Sequence, residues 1–376
     1  MLIIKMDTTN KIWKIFKYLL FLLILVLICD LTINFLLPSN VKKKIGTTKN
    51  YSIKSKRFHH GIVSNINVPE FWGDKKYQVI TNNHGMRVGA NYNYNIDKKN
   101  IGFMGDSFVY GSGLDYKDHF ITQIYNKNDN YNLLNLGYVS YSPSIYFKKL
   151  DYFISEKKIK FKKIFLFVDT SDIQDEGIFY REDKKGNIVR KWNSDEKNEQ
   201  KNFKYLIKNY LKQNSFIFKF YEIFFSATIS EGPAKCLENK NNVTNFVKYL
   251  DYERFGYAYD TKIQSMDWVI EGQNKTLSYL DKIYNLLNEN NINLEIVYYP
   301  SAIDILNDNR NTEKSNHFNL LKNWSSMREI PLIDTSKDFF KYSSSIQNYK
   351  QNHILCDMHW NSNGNKIIAK NILDKI

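Results

Sequence analysis

Three side chains far apart in the sequence could share one reaction. A serine lies in "GDSF" (Gly105–Phe108), and an acid and a histidine lie in "DMHW" (Asp357–Trp360). A serine hydroxyl becomes a nucleophile when an imidazole can take its proton, and a carboxylate can orient that imidazole. Alternate side chains of an extended segment project to the same side, so Asp357 could orient the ring of His359. The chemistry of such a set is acyl transfer through a serine ester.

Each half of this set also has a simpler interpretation. Gly-Asp-Ser occurs in ordinary turns, and Asp357 and His359 could only cap and solvate the start of a helix. The position of Ser107 favours chemistry, because it comes after Ile101–Met104 and a Gly-Asp turn, and this short apolar run is typical of a buried parallel strand. A serine there lies at the carboxyl edge of the sheet, where Gly105 permits a turn and the following amides can bind an oxyanion.

The rest of the chain alternates predicted strands with helical patterns. This alternation predicts right-handed βαβ units and a three-layer α/β/α sandwich with a mostly parallel sheet. Residues 177–265 interrupt it as an insertion that could form a lid or a wall, in which the aromatic stripe of Phe203–Phe225 is expected to be a core face. The further strands are predicted at Tyr131–Leu136, Lys163–Val168, Leu294–Tyr299 and Pro331–Ile333.

The N-terminal segment predicts a membrane anchor. Residues 12–37 are strongly apolar, and a helix of about 20 residues spans a bilayer. The span Ile12–Cys29 is preferred, because a span to Leu37 would have to carry Asp30. The segment lacks a small-residue cleavage site, so an uncleaved signal anchor is expected. We therefore predict a cytoplasmic segment 1–11, a transmembrane segment 12–37, a stalk 38–80 and a domain 81–376 outside the cytoplasm. Lysines on both sides of the anchor leave its orientation open.

Composition limits the classes of partner that are expected. The 376 residues hold 53 Lys and Arg against 39 Asp and Glu, a net charge of +14. No motif turns this charge into nucleic-acid binding, so an anionic envelope polymer or a lipid surface is the expected partner. Of the three cysteines, Cys29 lies in the anchor, while Cys236 and Cys356 could form a disulfide or remain two free thiols.

Taken together, these stretches resemble the SGNH hydrolases, also called GDSL esterases and lipases. The resemblance is carried by "GDSF", by "LLNLGYVSYSP" (Leu133–Pro143) and by "DMHW", and it runs from about Asn82 to the C-terminus. It implies a flavodoxin-like sheet with Ser107 as nucleophile, His359 as general base and Asp357 as the group that orients the base.

The resemblance also implies three oxyanion donors. They are the backbone N–H groups of Ser107 and Ser140 and, where the family has an asparagine, the hydroxyl of Ser171. The nearby acidic run Asp169, Asp172, Asp175 and Glu176 matches no metal-binding pattern and is expected to be solvated. Arg87, in "TNNHGMR", is expected to form a structural salt bridge, and His84 and His119 have no partner for a metal site. No cofactor or metal is expected.

The expected function is a serine esterase acting on O-acyl or O-acetyl groups of an envelope carbohydrate, through an acyl-enzyme. An O-acetyltransferase of a surface polysaccharide would use the same residues. A non-catalytic protein that binds glycan or serves as a scaffold in a polysaccharide-assembly complex is the alternative outside catalysis. Lipid esters remain a possible substrate for an enzyme tethered to a bilayer.

Overall fold

A long helix, α1 (Ile3–Leu36), opens the chain. Its segment Trp13–Ile33 is long and apolar enough to cross a membrane, by length and composition. The helix continues through Asp30 rather than ending at Cys29, where the preferred span ends. The computed structural model describes residues 3–36, 51–72, 75–191, 215, 217 and 252–376. Almost all of the predicted aromatic segment, and the first part of the predicted stalk, therefore lie outside the described residues.

Two small antiparallel sheets follow where the stalk was predicted. The first pairs β1 (Ser52–Ser55) with β2 (His59–Ile62), and the second joins β3 (Asn67–Trp72), β4 (Lys75–Thr81) and β5 (Arg87–Val88). They belong to the compact unit formed by Tyr51–Ser194 and Gly232–Ile376, whereas Met1–Asn50 and Asp195–Glu231 form the other unit. The globular part therefore begins near residue 51 and not near residue 81.

A five-stranded parallel sheet forms the centre of this larger unit. A separate hairpin of β9 (Tyr180–Glu182) and β10 (Ile188–Arg190) turns at "KKGN" (184–187). In the main sheet the spatial order is β12-β11-β8-β6-β7. Numbered by appearance within the sheet, this is the flavodoxin-like order 2-1-3-4-5. The five strands are β6 (Asn100–Met104), β7 (Asn132–Asn135), β8 (Phe161–Phe167), β11 (Asn293–Tyr298) and β12 (Leu332–Asp334).

Helices cover both faces of the sheet, so the predicted three-layer sandwich is confirmed. Ile164 and Leu166 of β8 pack into one apolar core, while Phe165 and Phe167 pack into the other. The helices of the first face are α4 (Pro143–Asp151), α8 (Asp267–Glu289) and α10 (Asn316–Ser326), and those of the second are α3 (Phe120–Tyr125), α9 (Ala302–Leu306), α12 (Ser345–Asn352) and α13 (Ser362–Leu373).

Shorter elements complete the described chain. They are α2 (Ser107–Tyr110), α5 (Asp172–Gln174), α6 (Tyr252–Gly256), α7 (Thr261–Gln264) and α11 (Ser336–Phe339), with 3₁₀ turns at Tyr116–Asp118 and Thr312–Lys314 and π turns at Tyr152–Glu156 and Asp175–Phe179. Cys356 is buried and disulfide-bonded, and Cys29 is free. Cys236, the other candidate for a bridge, lies outside the described residues.

Candidate active site

Ser107 is the first residue of α2, and only Gly105 and Asp106 separate it from the end of β6. Asp106 caps this short helix, because its Oδ1 accepts the N–H of Phe108 at 2.9 Å. The predicted role of Gly105 changes: a Cβ at this position would collide with the side chains of Val109 and Phe167. The glycine is needed for close packing between the strand end and the helix. Ser107 itself stays partly exposed at the carboxyl edge of the sheet, as predicted.

Asp357 and His359 meet Ser107 by a different local geometry from the one expected. They lie in a turn closed by a bridge between His353 and Trp360, and not in an extended segment. Asp357 Oδ1 accepts both the backbone N–H of His359, at 2.7 Å, and its Nδ1–H, at 2.5 Å. His359 Nε2 is 2.8 Å from Ser107 Oγ. The spacing of two residues works because the carboxylate folds back on the next peptide and on the ring.

The alternative interpretation, that this acid and histidine only cap a helix, does not describe the structure. Helix α13 is capped by Asn361, whose side-chain oxygen accepts the N–H groups of Asn363 and Gly364 at 2.8 and 3.1 Å. Asp357 and His359 are therefore free for the contact with Ser107.

The charges of this pair favour one tautomer. Burial lowers the pKa of His359, but the Asp357 carboxylate outweighs burial and raises it above its usual 6.5. Burial raises the pKa of Asp357, yet His359 and the hydrogen bonds outweigh burial and lower it to about 2. A carboxylate only accepts, so Nδ1 carries the proton and Nε2 is free to accept the Ser107 hydroxyl proton.

A fourth residue, Trp72, completes the contact and was missed in the sequence. Its indole N–H donates to Asp357 Oδ2 at 2.6 Å. Its ring meets the His359 ring edge to face, with centroids 5.0 Å apart. Trp72 ends β3, in the segment predicted as stalk. No spacing or motif singles it out, since a lone tryptophan in a polar segment carries no positional signal.

The Ser140 loop has a backbone conformation that favours glycine. Ser140 has a φ of 57°, in the left-handed region that favours glycine, and a non-glycine residue held there costs about 1–2 kcal/mol. The loop is fixed on both sides. The Val139 carbonyl is 2.8 Å from His60 Nε2, and the Ser140 carbonyl accepts the Tyr180 hydroxyl at 2.8 Å.

The structure does not support Ser171 as the third donor. Its hydroxyl donates to Asp169 Oδ2, and its N–H donates to the same oxygen at 2.9 Å. A hydroxyl has a single proton to give, so this one is not available to an oxyanion.

The acidic run is buried, and the expectation that it is solvated is wrong. Asp169, Asp172, Asp175 and Glu176 are each less than 5% exposed. Tyr146 donates to Asp172 at 3.0 Å, and Arg254 lies 3.2 Å from Asp175.

Burial raises the pKa values of Asp172, Asp175 and Glu176. It raises the pKa of Asp175 to about 7 despite the nearby guanidinium. Burial, followed by the charge of Asp169, raises the pKa of Asp106 to about 7. Among the described residues, no group of three side chains could hold a metal ion.

Arg87 has a structural role other than the predicted salt bridge. It is 1% exposed, and its guanidinium donates to the carbonyls of Tyr110, Gly111 and Leu114, at 2.9, 2.5 and 2.5 Å. It therefore fixes the loop that follows the Ser107 helix. His119 is also buried, with Nε2 3.0 Å from the Val109 carbonyl.

The site lies in the sheet where the resemblance implies that it should. Ser107 follows the first strand of a sheet in the order 2-1-3-4-5, and Asp357 and His359 precede the last helix. This sheet order and these positions agree with the resemblance to the SGNH hydrolases.

Comparisons with known proteins add neighbours of the same kind. No family model and no curated protein matches the sequence. Solved structures similar to it include a lipolytic protein of the G-D-S-L family from Veillonella parvula, at 14% identity and a TM-score of 0.37, covering 73% of this chain and 97% of that one. An acetyl xylan esterase is similar at 13% identity and a TM-score of 0.39, over 74% and 99%. A lipase/acylhydrolase from Enterococcus faecalis is similar at 10% identity and a TM-score of 0.35, over 74% and 95%.

Proposed function

We propose that this protein is a serine-dependent esterase that hydrolyses O-acyl esters, O-acetyl esters above all, through an acyl-enzyme. The observation that carries the proposal is the continuous hydrogen-bond path from Ser107 Oγ through His359 to Asp357, with distances of 2.8 and 2.5 Å. An acid, a base and a hydroxyl in this order form the arrangement that activates a serine for acyl transfer.

The reaction follows from the proton positions. Ser107 Oγ attacks the ester carbonyl while His359 Nε2 takes the hydroxyl proton, and the Asp357 carboxylate stabilises the resulting imidazolium. The imidazolium gives its proton to the leaving alcohol, so that the acyl group stays on Ser107. Water then attacks the acyl-enzyme, His359 takes a proton from this water and returns it to Ser107, and the acid leaves.

Two backbone N–H groups, those of Ser107 and Ser140, bind the oxyanion in this proposal. The Ser171 hydroxyl is taken by Asp169. Loss of one oxyanion donor costs about 10²–10³ in turnover in a well-studied serine protease. We therefore expect a slower enzyme than a family member that has all three donors.

The substrate we propose is an O-acylated carbohydrate of the cell envelope. The apolar segment Trp13–Ile33 supports an attachment to the membrane. The disulfide at Cys356 supports an oxidising compartment, since disulfides persist outside the cytosol. A net charge of +14 would attract an anionic polymer to the protein.

A second candidate function is a non-catalytic protein that binds glycan with the same fold. The commitment of the Ser171 hydroxyl to Asp169 favours it, because an incomplete oxyanion hole is tolerable where no reaction occurs. The short hydrogen bond between Ser107 and His359 favours catalysis instead.

A fluorophosphonate probe separates these two functions. The full chain in detergent should be labelled, and Ser107→Ala should not be labelled. Ser112→Ala is a matched control, because Ser112 is buried five residues along the chain and its hydroxyl has no hydrogen-bond partner in the described structure. An unlabelled wild type, or equal labelling of Ser107→Ala, would sink the esterase proposal.

Product analysis separates hydrolysis from transfer. With an activated acetyl ester and a hexose oligomer, an esterase releases acetate alone. Formation of acetylated sugar would assign the O-acetyltransferase activity, which uses the same three residues.

A further inference from the structure

The peptide that joins Val139 to Ser140 is held by the first hairpin. Its carbonyl can only accept, so His60 Nε2–H donates to it over 2.8 Å. In a trans peptide the N–H points opposite to the carbonyl of the same unit, and the described chain has no cis peptide. The Ser140 N–H therefore points away from His60. No backbone carbonyl in the described part of the chain accepts it.

We infer that His60 is a positioning residue that holds the Ser140 N–H in the orientation of an oxyanion donor, an inference that rests on the proposed esterase function. The same histidine lies on β2, before the part of the chain that resembles the family. No motif of the sequence assigns it a role.

The backbone of Ser140 shows why such a hold is needed. A flip of the 139–140 peptide changes φ of Ser140 by about 180°, from 57° to about −123°. The second value has the negative φ that residues other than glycine prefer. The intrinsic preference of this residue thus favours the flipped peptide, whose N–H points the wrong way. The hydrogen bond from His60 opposes that flip.

His60 is itself fixed by several contacts. Because its Nε2 carries the proton, its Nδ1 accepts from Nδ1–H of His59, at 2.6 Å. Its ring meets those of Tyr138 and Tyr141 at centroid distances of 5.6 and 5.0 Å. The Tyr141 hydroxyl donates to the His60 carbonyl at 2.7 Å. Neither the ring nor the backbone of His60 can turn without breaking one of these contacts.

A set of variants of the full chain in detergent tests the inference. With p-nitrophenyl acetate, His60→Ala should lower kcat about 10- to 100-fold. An oxyanion donor that points the wrong way lowers turnover by no more than the loss of that donor does. KM should stay within about twofold. Inhibition by a phenylboronic acid, whose tetrahedral adduct with serine places an oxygen in the oxyanion hole, should weaken by the same factor as kcat.

Two rescues identify orientation as the cause. His60→Gln keeps a side-chain N–H that can reach the carbonyl and should recover most of the lost kcat. His60→Ala combined with Ser140→Gly should recover part of it, because glycine adopts the left-handed backbone without help. Trp324→Phe is the structural control, since it removes a hydrogen bond to Asp281 that involves neither His60 nor the 139–140 peptide.

The outcomes are distinct. Unchanged kcat in His60→Ala overturns the inference, and so does a loss that Trp324→Phe reproduces in proportion to its lower Tm. Failure of both rescues overturns it as well. If wild type neither reacts with the fluorophosphonate nor binds the boronic acid, the esterase proposal itself fails, and the inference fails with it.

Discussion

The indole N–H of Trp72 donates to Asp357 Oδ2 at 2.6 Å, across 285 residues of sequence. Both oxygens of Asp357 are thus occupied, one by Trp72 and the other by His359. We expect Trp72→Phe to lower kcat/KM about 10-fold, the effect typical of losing a supporting hydrogen bond at a site. Phenylalanine keeps an aromatic ring against His359 but frees one carboxylate oxygen. Steady-state kinetics with p-nitrophenyl acetate measures this change.

Trp324→Phe is the matched control for that prediction. The Trp324 indole N–H also donates to a carboxylate, that of Asp281, at 2.8 Å, in the contact between α10 and α8. This variant should lower stability by a similar amount and leave kcat/KM unchanged. An equal loss of activity in the two variants would show that Trp72 acts only through stability.

Asp357→Asn should change both the rate and its pH dependence. A general base must be neutral, so activity rises as the pH rises through the pKa of His359, which lies above its usual 6.5 in wild type. Without the carboxylate charge, burial dominates and lowers that pKa. We expect kcat to fall by about 10³–10⁴ and the acid limb of the kcat/KM profile to move to lower pH. An acid limb that stays in place would assign it to another group.

Ser140→Gly should stabilise the protein without loss of activity. Relief of the left-handed strain outweighs the entropy cost of glycine, so the free energy of unfolding should rise by about 0.5–1 kcal/mol. Ser140→Ala should behave like wild type in the assay, because the proposed donor belongs to the backbone. Ser140→Pro has no N–H and should lose at least about 10² in kcat. Activity in the proline variant would remove Ser140 from the oxyanion hole.

Asp106→Asn isolates one buried acid of the site. The pKa of Asp106 is about 7 in the folded protein and 3.8 in its usual range. The folded state therefore binds this proton more tightly, so the stability linked to it is present below pH 3.8 and is lost as the pH rises through 7. Asparagine keeps the cap on the Phe108 N–H and does not titrate.

The measured quantity is the difference in unfolding free energy between wild type and Asp106→Asn. Between about pH 4 and pH 8, wild type should lose roughly 2–4 kcal/mol of unfolding free energy relative to Asp106→Asn. His59 and His60, whose pKa values burial lowers to about 4, act in the opposite sense, and they cancel because both proteins contain them. Parallel stability curves would show that Asp106 titrates normally in the fold.

The parts of the fold that sequence predicted are those with a local signal. The strand before Ser107 was visible because it is short, apolar and ended by glycine, and Asp357 and His359 because they are two residues apart. Burial of Asp172 and Asp175 had no such signal, because Tyr146 and Arg254, which contact them, lie 26 and 79 residues away.

The first two small sheets were hidden for a related reason. Their strands are short and rich in polar and basic residues, and these residues look like those of a linker. Trp72 and His60 make their contacts with Asp357 and the Val139 carbonyl only when β2 and β3 pack beside the main sheet. The hydroxyl of Ser171 was misjudged because the sequence does not show that Asp169 turns toward it.

The contact between Ser107 and His359 joins residues 252 positions apart. Trp72, near the start of the globular part, contacts Asp357, near its end. During synthesis, the hydroxyl and both early hairpins emerge long before the segment that bears the imidazole. A nascent chain therefore has no general base for Ser107 until nearly all of the globular part has been made. The nascent chain acquires its general base in one late step, when helix α13 docks.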